Sequence, residues 1–113
     1  MSDLTEYEIF VKSKKKWGPA KEVLYPALGL SGETGEVVDR IKKIYRGVTE
    51  ANLSDLTWRD EEALLELGDV FYYLVALAHD LGFTMQEVID TNVTKLMARH
   101  KTAYYKIMER GDA

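Results

Sequence analysis

The stretch from Leu64 to Leu81 constrains the fold of this chain most strongly, because apolar residues recur in it at helical spacing. Two acids, Glu66 and Asp69, interrupt the stretch three residues apart, so both lie on one helix face. The apolar positions are Leu64, Leu67, Phe71, Leu74 and Ala78, widened by Val70, Tyr73 and Leu77. A helix that is apolar over so much of its circumference is expected in the centre of a bundle or at a subunit interface.

A second apolar helical stretch, from Leu28 to Ile44, carries another pair of acids at the same spacing, Glu33 and Glu36. The interval to Glu66 suits the rest of one helix, a loop and the start of the next, and short connections favour antiparallel neighbours. The two pairs are then able to face each other across the helix seam. Four converging carboxylates are a candidate site for a hard divalent cation, Mg²⁺ or Mn²⁺, and so for phosphate chemistry. The alternative is that all four are solvated surface charges.

Capping and breaking residues divide the chain into four predicted helices, and no strand-like alternation competes with them. The helices are predicted over 4–15, from between 21 and 26 to about 46, over 59–81, and from 85 onward, through Tyr104 and Ile107. We expect a loose capping box at 57–60 and a regular one, Thr84-x-x-Glu87, before the fourth helix. A length of 113 residues, 46% of them hydrophobic, fits a single all-α domain resembling a four-helix bundle.

The composition excludes several classes of function. A formal net charge of −4 gives no general attraction to nucleic acid or to an anionic membrane. The chain has no cysteine, which excludes a disulfide framework, a thiolate zinc site and a cysteine nucleophile. The acidic, mixed N-terminus is not a secretory signal, and no apolar run is long enough to span a membrane. We therefore expect a cytoplasmic protein.

The predicted fourth helix has a polar face formed by Asn92, Lys95 and Arg99, which are spaced at i, i+3 and i+7. Beside a metal ion, such a face would offer hydrogen-bond donors to phosphate oxygens. The alternative is an ordinary solvated face.

Three aromatic residues are candidate pocket residues. Trp17 and Trp58 flank helices, where a tryptophan either stacks on a base or is a partly buried staple. Tyr73 lies one helical turn after Asp69, so its ring is able to form a wall above the metal site. The sequence does not decide which tryptophan, if either, contacts a base.

Three segments in order resemble the MazG-type nucleoside triphosphate pyrophosphohydrolases of the all-α NTP pyrophosphatase superfamily. The segments are Gly-Glu-Thr-Gly-Glu-Val at 32–37, Glu-Ala-Leu-Leu-Glu-Leu-Gly-Asp-Val-Phe-Tyr-Tyr-Leu at 62–74, and Asn92-x-x-Lys95-Leu96-x-x-Arg99-His100. The ordered combination, which covers about 24–100, is more specific than either acid pair alone. The chain departs from the family at His100, where a tyrosine is usual, and its size resembles that of the single-domain members.

The resemblance implies an all-α bundle that oligomerises through its helices as a homodimer or homotetramer, with the site near a subunit interface. It implies hydrolysis of a nucleoside triphosphate, often a deoxynucleotide, to monophosphate and pyrophosphate with Mg²⁺ (or Mn²⁺), in cleansing or control of the nucleotide pool. By motif position the implied metal ligands are Glu33, Glu36, Glu66 and Asp69. The implied substrate-phosphate or interface contacts are Asn92, Lys95 and Arg99, and Tyr73 is an implied residue of the substrate pocket.

The implied reaction needs no protein nucleophile, since water attacks the phosphorus. We expect Glu33 to activate that water, because a desolvated carboxylate is the better base, with Glu36 as the alternative. Two other functions stay open. One is phosphoribosyl-ATP pyrophosphohydrolase, which shares the superfamily fold, and the other is a non-catalytic helical oligomerisation module whose acids are structural. Base preference also stays open.

Overall fold

The computed structural model describes residues 3–100, which fold into four α-helices with no strand in that range. The helices are α1 (Leu4–Lys14), α2 (Leu24–Arg46), α3 (Glu61–Asp80) and α4 (Met85–Arg99), with short 3₁₀ turns at Pro19–Lys21 and Leu53–Asp55. The predicted all-α fold is therefore confirmed. The predicted continuation of the fourth helix through Tyr104 and Ile107 lies outside the described residues.

The helix ends follow from the capping chemistry of nearby side chains. Asp3 accepts a hydrogen bond from the Glu6 N–H at 2.8 Å and so caps α1. The predicted capping box of α4 is present, with the Glu87 N–H donating to Thr84 Oγ1 and the Thr84 N–H donating to Glu87 Oε1, both at 3.1 Å. Gly82 permits the turn before α4, because its φ of 87° is a conformation that only glycine adopts freely.

Helix α3 begins at Glu61, later than predicted, and its cap differs from the predicted one. Asp60 is itself the N-cap, and its Oδ1 accepts hydrogen bonds from the N–H groups of Glu62 at 2.9 Å and Ala63 at 3.0 Å. The prediction of a capping box between Thr57 and Asp60 was wrong. The first amides of a helix lack partners inside the helix, and the Asp60 carboxylate satisfies two of them directly.

Helices α2 and α3 pack against each other as an antiparallel pair. The last third of α2 meets the start of α3, where Arg40 pairs with Asp60. The start of α2 meets the second half of α3, where Gly29 lies against the Tyr73 ring. Helix α3 also contacts α1 and α4, so the prediction of a central helix is confirmed.

The buried core is small and lies at the C-terminal half of α3. It consists of Val11, Val75, Ala76, Ala78 and Met85, contributed by α1, α3 and the first turn of α4. The first half of α3 is different, since Leu64 is 55% exposed and Leu67 is 53% exposed. Part of the predicted apolar stripe therefore faces outward, as an unfilled subunit interface would, and oligomerisation stays a prediction. No helix between residues 3 and 100 combines the length and the apolar character needed to cross a membrane.

Candidate active site

Helices α2 and α3 bring three of the four predicted acids together. Glu33 from α2 and Glu66 and Asp69 from α3 each offer a carboxylate oxygen, and these oxygens all lie within 4.8 Å of one another. Glu33 and Glu66 are half-buried, and Asp69 is exposed. We call these three residues the acidic cluster. It forms because the antiparallel packing sets this turn of α2 opposite the first half of α3.

The acidic cluster is electrostatically unfavourable on its own. Burial raises the pKa of the Glu33 carboxyl above its ordinary value, and the negative charges of Asp69, Glu66 and Glu36 raise it further. Within residues 3–100, no lysine or arginine forms an ion pair with any carboxylate of the cluster. Like charges at this separation persist only at a cost, and a cation placed between them removes that cost.

Glu36 lies outside the acidic cluster. It is exposed, although its charge still acts on Glu33. Glu33 and Glu36 point about 60° apart around the axis of α2, as Glu66 and Asp69 do on α3, so the spacing alone does not decide which acids enter the cluster. The role of Glu36 as a metal ligand therefore stays a prediction.

Tyr73 lies beside the acidic cluster, as its position one turn after Asp69 predicts. Its ring packs so closely on α2 that a Cβ atom at Gly29 would overlap it. Burial raises the pKa of the Tyr73 hydroxyl, with smaller contributions from Tyr25, Tyr72 and the charge of Glu33. The tyrosine thus connects the cluster with the aromatic residues at the start of α2.

A cleft of about 310 Å³ opens on the far side of Tyr73. Trp17 stacks on Tyr25 in this cleft, with ring centroids 4.9 Å apart and planes inclined by 26°. The Tyr25 ring in turn lies 6.5 Å from the Tyr73 ring. The cleft is lined by Lys14, Lys16, Trp17, Tyr25, Tyr72 and Tyr73. We call it the aromatic cleft.

Sequence reasoning missed Tyr25 as a site residue, although a signal for it was present. Tyr25, Gly29 and Glu33 follow one another at intervals of four residues, so they share one face of α2. That face is the one that turns toward Tyr73. Lys14 and Lys16 carried no comparable signal, since their position depends on how the connection between α1 and α2 folds back.

The two tryptophans occupy opposite ends of α2. Trp58 packs on Tyr45 near the C-terminus of the helix, with centroids 4.9 Å apart. Tyr45 lies twelve residues beyond Glu33, which is about 18 Å along a helix axis. Trp17, in contrast, lies in the aromatic cleft. Of the two, only Trp17 is next to the candidate site.

The predicted polar face of α4 lies apart from the acidic cluster in this chain. Asn92 and Lys95 line a separate groove of about 430 Å³, next to Phe83 and Val88, and Arg99 is exposed near the end of the helix. Within residues 3–100, no hydrogen bond or ion pair joins these three polar residues to the cluster.

Comparison with known proteins places the chain in a family. The profile of the MazG nucleotide pyrophosphohydrolase domain matches residues 23–104, well over half of the chain. The chain belongs to the MazG family. Gene 37 protein of Mycobacterium phage L5 is similar to this MazG chain, with 37% identity over 79 residues. The aligned part is 66% of the chain and 63% of the phage protein, so the chain spans less than two thirds of that relative. No solved structure matches it significantly.

The range matched by the family profile includes the acidic cluster but not one side of the aromatic cleft. All four acids of the MazG chain and its α4 polar face fall inside the matched range of 23–104. Lys14, Lys16 and Trp17, which form one side of the aromatic cleft, precede that range. The acidic cluster thus belongs to the family domain, whereas this side of the cleft is contributed by the segment before it.

Proposed function

We propose that this MazG chain hydrolyses nucleoside triphosphates, deoxynucleotides in particular, to monophosphate and pyrophosphate with Mg²⁺ as cofactor. Nucleotide pyrophosphohydrolysis is the activity that gives the family its description. The observation that best supports it for this chain is the acidic cluster, whose carboxylate oxygens lie within 4.8 Å of one another.

The chemistry of the acidic cluster fits a hard divalent cation. Its donors are carboxylate oxygens alone, with no imidazole or thiolate in the group, which favours Mg²⁺ or Mn²⁺ over zinc. Glu33, Glu66 and Asp69 would hold the cation, and Glu36 is a further candidate ligand. A bound cation would neutralise the negative charge of the substrate phosphates.

Glu33 is also the candidate base for the attacking water. It is half-buried within the acidic cluster, and partial burial makes a carboxylate a better proton acceptor than an exposed glutamate. We propose that Glu33 takes a proton from water as the water oxygen bonds to the α-phosphorus and the bond to the departing pyrophosphate breaks. Glu36, which lies outside the acidic cluster, is the alternative acceptor.

The α4 polar face suggests that the site is completed by a second copy of the chain. Asn92, Lys95 and Arg99 carry the donors that phosphate oxygens need, and among residues 3–100 they form no hydrogen bond or ion pair with the acidic cluster. The exposed Leu64 and Leu67 of α3 provide apolar surface for a subunit contact near the acidic cluster. We therefore propose a homodimer or homotetramer in which α4 contacts substrate or the neighbouring subunit.

A screen for pyrophosphate release tests the proposed function. The purified chain is incubated with canonical and damaged deoxynucleoside triphosphates, ribonucleoside triphosphates and phosphoribosyl-ATP, with Mg²⁺ or with EDTA. We expect monophosphate and pyrophosphate in equal amounts, only with the metal, and fastest with a deoxynucleotide. Preference for phosphoribosyl-ATP would show instead that the chain is a phosphoribosyl-ATP pyrophosphohydrolase. Absence of turnover, together with no change in thermal stability on adding Mg²⁺ and a nucleotide, would favour a helical oligomerisation module.

A further inference from the structure

A buried carboxylate outside the acidic cluster organises one side of the aromatic cleft. The Asp80 side chain, at the end of α3, is 0% exposed. It accepts hydrogen bonds from Lys15 Nζ at 2.7 Å, from Trp17 Nε1 at 2.9 Å and from the Val23 N–H at 3.0 Å. A buried charge is tolerated when it is paired and hydrogen-bonded in this way. Burial alone would raise the pKa of Asp80, but these donors hold it below its ordinary value.

The three donors all belong to the connection between α1 and α2. Val23 adopts a φ of 66° and a ψ of −55°, which is a strained conformation for a β-branched residue. The Asp80 carboxylate accepts a hydrogen bond from the Val23 N–H. Trp17 is held by its indole nitrogen, which fixes the direction of the ring. Asp80 therefore determines how this connection folds back over the end of α3.

The rings held by this network form the outer wall of the aromatic cleft. Trp17 stacks on Tyr25, whose side chain remains 45% exposed. Tyr25 lies eight residues before Glu33 on one face of α2, about 12 Å along the helix axis. That separation is of the order of the length of a nucleotide. Aromatic rings beside a phosphate-handling site suit a nucleobase, because every base has a face that stacks.

We propose that Asp80 is a positioning residue that holds Trp17 against Tyr25 as a stacking wall for the nucleobase of the substrate. The proposal rests on the proposed function for the nature of the ligand. Trp17 precedes the matched family range whereas Tyr25 and Asp80 lie inside it, so the proposal assigns part of the base selectivity to the segment before the family domain. Lys14 and Lys16 at the rim favour an anionic ligand over a neutral one.

The test replaces Asp80 in a chain with one remaining tryptophan. Trp58→Phe leaves Trp17 as the sole reporter of the two tryptophans, and Trp58 lies outside the cleft. In this background Asp80→Asn should shift Trp17 emission to the red. It should also raise KM for the preferred triphosphate about 10-fold, with kcat within about 3-fold, because stacking on one aromatic ring contributes affinity of this order. The Ki of inorganic triphosphate, which has no base, should not change.

A second variant and a second readout decide the remaining outcomes. Trp17→Ala, in the wild-type background, removes the wall without removing the buried charge, and the same rise in KM is expected. If Asp80→Asn loses its helical circular dichroism, Asp80 is required for the fold and the narrower positioning role is overturned, while Trp17→Ala still tests the wall. Unchanged Trp17 emission in a folded Asp80→Asn chain overturns the positioning role. Unchanged KM in Trp17→Ala overturns the wall.

Binding without metal separates failure of this inference from failure of the proposed function. Deoxynucleoside monophosphates titrated in EDTA should quench Trp17 emission, and less so in the Asp80→Asn chain. If the chain hydrolyses no triphosphate yet shows this quenching, the result supports base binding in the aromatic cleft and contradicts the proposed reaction. If it hydrolyses triphosphates and shows no quenching, the reaction stands and the stacking wall is overturned.

Discussion

Two neighbouring positions along the α2–α3 pair treat carboxylates in opposite ways. At the end formed by the C-terminal third of α2, the Arg40 guanidinium contacts Asp60 Oδ2 at 2.7 Å and Glu62 at 3.1 Å. Hydrogen bonding to Arg40, followed by the backbone N–H groups of Ala63 and Glu62, lowers the pKa of Asp60 to about 2. About two helical turns away, in the middle of the pair, the acidic cluster has no basic partner among residues 3–100, and the pKa of Glu33 is raised. Asp60 and Glu62 are neutralised by protein groups, whereas the acidic cluster carries charges that a ligand would neutralise.

This difference separates acids that stabilise the fold from acids that cost stability. Asp60 caps α3 and closes the helix pair, so its ionised form favours the folded chain. Glu33 in its ionised form is less favourable in the folded chain than in the unfolded one, because its pKa is raised on folding. Functional groups are often placed where they are unfavourable in isolation.

The largest effect is expected from removing one charge of the acidic cluster. Asp69→Asn keeps the size of the side chain and should lower kcat/KM for pyrophosphate release at least about 100-fold, since even outer-sphere partners of a metal contribute up to that factor. Glu62→Gln is the matched control in the first turn of the same helix, where Glu62 pairs with Arg40, and it should leave activity near wild type. An Asp69→Asn enzyme with more than half of wild-type activity would contradict the proposed metal site, provided both variants keep their helical circular dichroism.

Stability in the absence of metal should rise when one charge of the acidic cluster is removed. Glu33→Gln removes a carboxyl whose raised pKa makes its ionised form costly at pH 7, so the thermal midpoint in EDTA should rise. Mg²⁺ should raise the midpoint of wild type by mass action and that of Glu33→Gln less, at about 4–8 °C per kcal/mol for a domain of this size. Differential scanning fluorimetry with a Mg²⁺ series measures both. A lower midpoint for Glu33→Gln in EDTA would show that the cluster stabilises the fold.

The close approach of the helices beside the acidic cluster is tested at glycine positions. Gly29→Ala would place a Cβ in the Tyr73 ring and should destabilise the chain by about 1–3 kcal/mol, as overpacking does. Gly35→Ala meets nothing within 4 Å and should stabilise α2 by up to about 1 kcal/mol, since alanine is the better helix former. Urea denaturation followed by circular dichroism compares the two. Destabilisation by Gly35→Ala would indicate that another chain packs on that side of α2.

The smallest effect is expected in the acid range, from Asp60. Its folded pKa of about 2 lies below the ordinary 3.8, so its contribution to stability is complete above 3.8 and is lost as the pH falls through about 2. The free energy of unfolding of wild type minus that of Asp60→Asn should therefore shrink between pH 4 and pH 2. Urea titrations at a series of pH values measure this difference. A difference that is constant from pH 6 to pH 2 would show that Arg40 and the helix amides do not favour the ionised carboxylate.

Local sequence signals predicted the elements, because each signal acts over a few residues. The Thr84–Glu87 capping box and the end of α2 at Gly47 follow from contacts within one turn. The acid pairs also predicted that α2 and α3 would bring carboxylates together, since a helical period and a short connection leave few other arrangements. That Glu36 lies outside the acidic cluster depends on how α2 is rotated about its own axis, and the spacing of the acid pairs in the sequence does not determine this rotation.

Contacts between distant residues were not predictable from the chain. In the sequence, Asp80 looks like an ordinary polar residue at a helix end. Its hydrogen-bond partner Trp17 is 63 residues away along the chain. Arg40 likewise gives no sign of pairing with Asp60 across the loop. The exposure of Leu64 and Leu67 has a related cause, because an apolar stripe is the same in sequence whether its own chain or another copy covers it.

The bond between Asp80 and the connection before α2 also bears on the order in which the chain folds. The acidic cluster is assembled by two consecutive helices, and such local pairs form early, whereas the bond from Asp80 to Trp17 closes most of the chain into a loop. We therefore expect the acidic cluster to form before the aromatic cleft and to outlast it when the chain opens locally. Hydrogen exchange would record this as a Val23 amide that exchanges faster than the amides in the middle of α3. Nucleotide discrimination would then fail on warming at a lower temperature than cation binding.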